Sequence, residues 1–256
     1  MDVDAYLEAA RAQAEDAERL RRSLRLPAGH KVVNVHTYGW DAYEAFVRKF
    51  YTDGRPRIVA LSMNPGPFGA VQTGIPFCDA AMARGLLPDF DRLVAKKPAW
   101  VRRERTEVSA LKLVDWSATR FGGIQGLYGE ILLAMTCPLG ILKGPGLLNV
   151  PLPALPRSEQ RKVEAFIASH APAEILAADP PAVLVLGEWA LRTWRILQGH
   201  DPRLAKLPWA LGPHPAAHIT NAGKYAAWTK AFDGLKRRAR NPGSGGPRSR
   251  AMTQAL

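Results

Sequence analysis

The sequence predicts an α/β protein of three layers, in which a short, mostly parallel four-stranded sheet lies between helices on both faces. Three features of the chain point to it. Short apolar runs rich in β-branched or Leu residues stand at Ile58–Met63, Glu130–Thr136, Ala182–Leu186 and Leu207–Leu211, each ended by Asn, Cys-Pro or Gly. These runs lack the in-and-out alternation of a half-exposed strand, as strands buried on both faces do. Between them lie stretches with helical periodicity, and strand alternating with helix is the pattern of a parallel sheet covered on both sides. With 256 residues, 47% of them hydrophobic, the chain can bury one good core and little more. We therefore expect one domain over residues 1–236 and a basic tail over 237–256.

The elements follow in order. From Asp2 to Leu24 the residues Val3, Tyr6, Leu7, Ala10, Ala14, Ala17, Leu20 and Leu24 recur near 3.6 with charges between them, which predicts an amphipathic packing helix. Pro27 and Gly29 end it. Val32 to Trp40 reads as extended or turning, a second helix as Tyr43–Phe50, and Asp53-Gly54 as the turn into the central strand at Ile58. After the glycine- and proline-rich loop that closes this strand, Asp79 to Arg105 mixes a short helix with a basic segment. There Trp100 stands among Lys96, Lys97, Arg102 and Arg103, which reads as a surface loop anchored by one tryptophan, with a stacking and phosphate patch as the alternative. Ser158–Ser169 is a capped helix, Pro180-Pro181 leads into the third strand, and Gly187 opens a helix over Glu188–Leu197. Tyr225–Leu235 closes the fold. Asn241 to Leu256, rich in Gly, Pro, Ser and Arg, is expected to be disordered.

Charge and composition narrow the function. A formal charge of +12 favours a polyanionic partner, and Lys236, Arg237, Arg238, Arg240, Arg248 and Arg250, with no acid after Asp233, hold half of it. That basic end reads equally as a solvated tail or as an arm touching DNA. Cys78 and Cys137 form no Cys-x-x-Cys and the six histidines no His-Glu-x-x-His, which argues against structural zinc or an iron-sulfur cluster and for a reducing compartment. The N-terminus is acidic and helical rather than a signal peptide, and no apolar run approaches the ~18 residues of a membrane span. We expect a cytoplasmic monomer that binds DNA and no membrane.

The most informative stretch begins where the central strand ends. Met63-Asn64-Pro65-Gly66-Pro67-Phe68-Gly69 is stiffened by two prolines and turned by glycines, and Asn64 is the first polar side chain off the strand. Sites of open α/β sheets lie at such carboxyl ends. A phosphate-loop reading fails, because Ile75-Pro76 follows Gly74 where a Walker loop needs Lys and then Ser or Thr. Together with Gln72-Thr73-Gly74 and Pro76-Phe77, the run resembles the first motif of the single-strand-selective monofunctional uracil-DNA glycosylases. Ser117-Ala118-Thr119-Arg120-Phe121, Cys137-Pro138-Leu139 and Gly212-Pro213-His214-Pro215 resemble further passages of that family. The chain departs from it at Met135, where the family carries an Asn that pairs with the base edge, and after Pro215, where Ser-Pro-Arg-Asn is replaced by Ala216-Ala217-His218-Ile219.

The resemblance implies a uracil-DNA glycosylase-like fold and a monofunctional DNA glycosylase without cofactor or metal, acting on single- or double-stranded DNA. It implies that Asn64 positions the attacking water, that His214 stabilises the departing base, and that Phe77 stacks on that base. Met63, Gly66, Phe68 and Met135 would line the pocket, and His218, Asn221 and Lys224 would meet DNA. Methionine makes no directional pair of hydrogen bonds, so Thr136, a main-chain group or water would have to read the base edge. Uracil, 5-hydroxymethyluracil and deaminated purines stay open as substrates. Two rivals also stand: a DNA-binding homologue that has lost turnover, and a hydrolase of free nucleosides, whose affinity would not fall steeply with salt.

Overall fold

The computed structural model describes residues 1–240. Its strands are β1 (His30–Asn34), β2 (Ile58–Ser62), β3 (Ile131–Met135), β4 (Leu139–Lys143), β5 (Leu148–Asn149), β6 (Val183–Leu186) and β7 (Trp209–Gly212). The α-helices are α1 (Val3–Ser23), α2 (His36–Phe50), α3 (Ala70–Thr73), α4 (Ala80–Leu86), α5 (Phe90–Leu93), α6 (Val108–Arg120), α7 (Ile124–Glu130), α8 (Arg157–Ala177), α9 (Glu188–His200), α10 (Pro202–Ala205) and α11 (Asn221–Arg240).

The four apolar runs form one sheet in the order β3-β2-β6-β7, parallel throughout. Every residue of β2, β3 and β6 is buried, as their unbroken apolar sequences require, while the edge strand β7 is half-exposed. Because the chain leaves β2 towards β3 but passes from β6 to β7 in the opposite direction, right-handed crossovers put the two connections on opposite faces. The strand order reverses between β2 and β6, and open sheets leave a crevice at the carboxyl ends there.

Around the sheet, α1 packs along α8 and α8 against α9, whereas α11 covers β7 and β6 and reaches α6. Asp2 caps α1 by accepting from the Asp4 and Ala5 amides, which places its start within a residue of the expected one. Four helices, α2, α8, α9 and α11, exceed their expected lengths, and two of the extensions have a visible cause. α8 continues through Pro172 to Ala177, because burial of Ala171, Glu174 and Ile175 offsets the ~3 kcal/mol that an interior proline costs. α2 begins at His36 rather than Tyr43. There the Asn34 Oδ1 accepts from the His36 amide and Thr37 Oγ1 donates to the Asn34 carbonyl, so a local cap starts a helix through residues of weak propensity.

A second, antiparallel sheet of order β1-β4-β5 was not expected, since its strands read as turning or loop segments. It covers a smaller core of Val33, Val35, Tyr38, Ala70, Val71, Met135 and Leu142 next to the main one. The basic end differs as well. α11 runs to Arg240, so residues 237–240 continue the domain, with Lys236 paired to Glu130 and Arg238 Nη2 donating to the Trp209 carbonyl. The rest of the expected tail, 241–256, lies outside the described residues. No described helix is long and apolar enough to cross a membrane.

Three elements meet at a buried polar knot. Tyr6 of α1 donates to Glu174 Oε1 of α8 at 2.9 Å and lies 2.8 Å from the Tyr43 hydroxyl of α2. Burial pushes the Glu174 carboxyl up to about 7 against the pull of both tyrosines. The folded chain thus keeps a proton that the unfolded chain releases near 4.5. This contribution to stability is complete below that pH and is lost as pH rises through about 7. Thermal unfolding at a series of pH values should show stability falling between pH 5 and 8. Glu174→Gln, which keeps the acceptor and cannot ionise, should flatten that part of the curve.

Candidate active site

The parallel strands deliver Met63-Asn64, Met135, Gly187 and Pro213-His214 to one edge of the sheet. There they surround a cavity of about 430 Å³, also lined by Gly66, Phe68, Phe77, Glu107, Asn149 and Trp189. Pockets of this size suit a small planar ligand with a few fixed polar groups.

The loop that carries Asn64 is fastened from within. Gln72 is fully buried, and its Nε2 donates to the Pro67 carbonyl at 2.7 Å and to the Val101 carbonyl at 2.8 Å. Behind it, Gly74 takes a left-handed φ of 77° and presses on Gly39, where a Cβ would come within 2.5 Å of the Gly39 carbonyl oxygen. Phe77 holds φ at 51°, a conformation that costs a non-glycine residue about 1–3 kcal/mol and that proteins keep chiefly at working sites. It places the half-buried ring in the cavity lining. Asn64 Nδ2 donates to Asn149 Oδ1 at 3.4 Å, while its Oδ1 is shielded from solvent and has no partner among the described residues. A buried acceptor left unpaired costs about 1–3 kcal/mol, so a water or substrate group is the natural complement of this one.

His214 faces the cavity from the other side of the crevice. Its backbone is clasped by α11: Trp228 Nε1 donates to the Pro213 carbonyl at 2.8 Å, and Lys224 Nζ to the Pro215 carbonyl at 2.5 Å. Residues 224 and 228 stand one helical turn apart on one face and hold the carbonyls on either side of the histidine. Gly187 gives His214 its room, for a Cβ there would lie 2.8 Å from the His214 Cβ. The Ala216 amide donates to His214 Nδ1 at 3.1 Å, so in the neutral ring the proton sits on Nε2. Burial, and then the charge of Lys224, lower the His214 pKa from its ordinary value and favour that neutral ring.

Comparison with known proteins adds to this geometry. No family model matches the chain. It is 25% identical over 204 residues to the single-strand selective monofunctional uracil DNA glycosylase of Mus musculus, covering 77% of this chain and 72% of that protein. It is 28% identical over 137 residues to the Rattus norvegicus protein of that name and 26% over 141 residues to that of Bos taurus, about half the length of each. Wild-type SMUG2 of Pedobacter heparinus shares the fold, with a TM-score of 0.63 and 20% identity over 88% of this chain and 98% of that one. The chain is similar to the SMUG-type uracil-DNA glycosylases.

Among the residues expected to serve a SMUG-type site, Met63, Asn64, Gly66, Phe68, Phe77, Met135 and His214 all line the cavity. Three others do not. His218 and Asn221 are exposed outside it, on the turn after His214 and at the first residue of α11. Lys224 corrects its expected role: it is 2% exposed and spent on the Pro215 carbonyl, so it supports the histidine loop instead of meeting phosphate. Thr136 does not replace the missing base-reading amide, because its hydroxyl is buried and donates back to the Ser62 and Met63 carbonyls. The basic segment around Trp100 is largely structural. Lys97 is buried with Nζ on the Gln72 carbonyl, Arg102 donates to the Lys97 carbonyl, and Lys31 covers the Trp100 ring at 4.8 Å.

The cavity also contains side chains that sequence reasoning passed over. Glu107 caps α6 by accepting from the Ser109 amide, and its Oε2 would lie 3.1 Å from a Cβ on Gly66 and 3.2 Å from one on Gly69. Its position after a basic run gave no hint of this. Asn149 reaches the site on the unexpected small sheet. Among the described residues no three His, Cys, Asp or Glu side chains gather as a metal would need.

Proposed function

We propose that this chain hydrolyses the N-glycosidic bond of a damaged deoxynucleotide flipped out of DNA, releasing the base and leaving an abasic site. The observation that carries this reading is the convergence of Asn64, Phe77 and His214 on one nucleobase-sized cavity at the carboxyl edge of the sheet, in a chain similar to uracil DNA glycosylases. As the C–N bond breaks, positive charge grows on the sugar and the bonding electrons pass to the base. Water, held by a hydrogen bond to Asn64 Oδ1, adds its oxygen to the anomeric carbon and loses one proton to solvent, while the base leaves as an anion that regains one proton from solvent on release. The neutral His214 donates its Nε2–H to a carbonyl oxygen of the departing base, where negative charge gathers, in the manner of an oxyanion donor. Phe77 stacks on the base, and Met63, Gly66 and Phe68 shape the pocket around it.

Flipping costs a few kcal/mol in a duplex and least where pairing is already lost, so single-stranded or mismatched sites are the favoured substrates. The exposed Ile219, between His218 and Asn221, is placed to fill the gap while these neighbours approach phosphates. The chain acts as a monomer in this reading. Met135 brings no edge-reading amide, which favours a pocket tolerant of uracil derivatives such as 5-hydroxymethyluracil. The test is incubation with single- and double-stranded oligonucleotides carrying uracil, 5-hydroxymethyluracil, hypoxanthine or xanthine, followed by alkaline cleavage. Strand breaks at a uracil-type base are the expected result. Intact strands throughout would remove the reading.

A further inference from the structure

We infer that Asn149 is a positioning residue: its side-chain carbonyl holds one end of the Asn64 amide and so leaves the other end to the attacking water. The inference rests on the glycosylase reading above. A primary amide has a donor end and an acceptor end that exchange places with a half-turn of the last torsion, and only the acceptor can receive a hydrogen bond from water. The prolines at 65 and 67 and the Gln72 clamp fix the backbone of the Asn64 loop. They do not fix that torsion. Asn149 does, because Asn64 Nδ2 donates to Asn149 Oδ1 at 3.4 Å and the half-turn would bring two carbonyl oxygens face to face.

The second observation is what remains. Asn64 Oδ1 is buried with no partner among the described residues, the acceptor that the proposed chemistry uses. Nor does packing call for an amide at 149. Leu148 and Asn149 are both exposed, on a two-residue strand held to β4 by the pairing of Asn149 with Leu142 and by the Val150 amide on the Ile141 carbonyl at 2.8 Å. Yet the Asn149 side chain lines the cavity. The small antiparallel sheet thereby gains a purpose in catalysis: its paired backbone carries an acceptor across to the strand-end loop of the parallel sheet.

The test compares wild type, Asn149→Asp and Asn149→Leu in single-turnover excision of uracil from a single-stranded oligonucleotide, with oligonucleotide affinity and thermal stability measured alongside. Aspartate accepts from Asn64 Nδ2 and cannot donate; leucine does neither. Asn149→Asp is expected to keep the wild-type rate within about twofold, and Asn149→Leu to lose about tenfold in rate with affinity and stability unchanged. The added charge of the aspartate reads out separately, as weaker binding at low salt. A leucine variant as fast as wild type overturns the inference, and so does an aspartate variant as slow as leucine, which would make Asn149 a donor or a mere filler. A wild type that excises neither uracil nor any of the other three bases named above removes the glycosylase reading and this inference with it, a result distinct from an active enzyme indifferent to position 149.

Discussion

Asn64→Ala is expected to lower the rate of base excision by on the order of 100-fold or more while leaving DNA affinity largely intact. The size follows from what the amide does in the proposed reaction. Water is a weak nucleophile, and its attack depends on being held on the line through the anomeric carbon, a benefit of orientation that vanishes with the acceptor. The retained affinity follows from what surrounds the residue. The loop owes its shape to Pro65, Pro67 and the Gln72 hydrogen bonds to the Pro67 and Val101 carbonyls, none of which passes through the Asn64 side chain. The proposed stacking on Phe77 and the proposed contacts to phosphate do not involve the Asn64 side chain either. Single-turnover assays with a uracil-containing oligonucleotide, paired with a binding measurement on the same DNA, separate the two effects. A rate within twofold of wild type would remove Asn64 from the reaction, and parallel loss of binding would make it a scaffold residue.

What could be read from the sequence was what local chemistry controls. The four parallel strands were legible within two residues or so, because runs such as Val183-Leu184-Val185-Leu186 have no polar face to offer water. The stiff loops after β2 and β7 were legible because proline and glycine act on their own backbone. The antiparallel sheet was not. β1 and β4 pair residues as far apart in the chain as Asn34 and Leu139, and neither strand alone carries an unambiguous pattern. Lys224 was misread because charge is visible in a sequence and burial is not. Its spacing to Trp228 was the available sign, since residues one turn apart on a helix share a face, and both hold carbonyls beside His214. Asn149 had no such sign, as it meets Asn64 through the unforeseen sheet. Met135, a departure from the family pattern in the sequence reading, lines the cavity, but its consequence for substrate choice belongs to the shape of the whole pocket.

His214→Ala should likewise cost about 100-fold in rate, the usual loss when a fixed donor to a developing oxyanion is removed. Its pH dependence tests the mechanism more sharply than the loss itself. With the Ala216 amide aimed at Nδ1, protonating that nitrogen would set two N–H groups against each other, so the imidazolium cannot keep the observed loop geometry. Burial and the neighbouring Lys224 charge push the same way, holding the ring neutral below its ordinary pKa of 6.5. Activity should therefore persist as pH falls through 6.5 and decline on an acid limb below it. Lys224→Met removes the smaller of the two causes and leaves burial in place, so the limb should move upward towards 6.5. The position of the limb, not the height of the plateau, is the quantity to compare, because losing the Lys224 bond to the Pro215 carbonyl also loosens the loop and lowers the rate at every pH. A wild-type limb above 6.5 would point to a charged histidine as the working form. A limb unmoved in Lys224→Met would mean that solvent screens the lysine from the ring, leaving desolvation alone to keep His214 in its donor state.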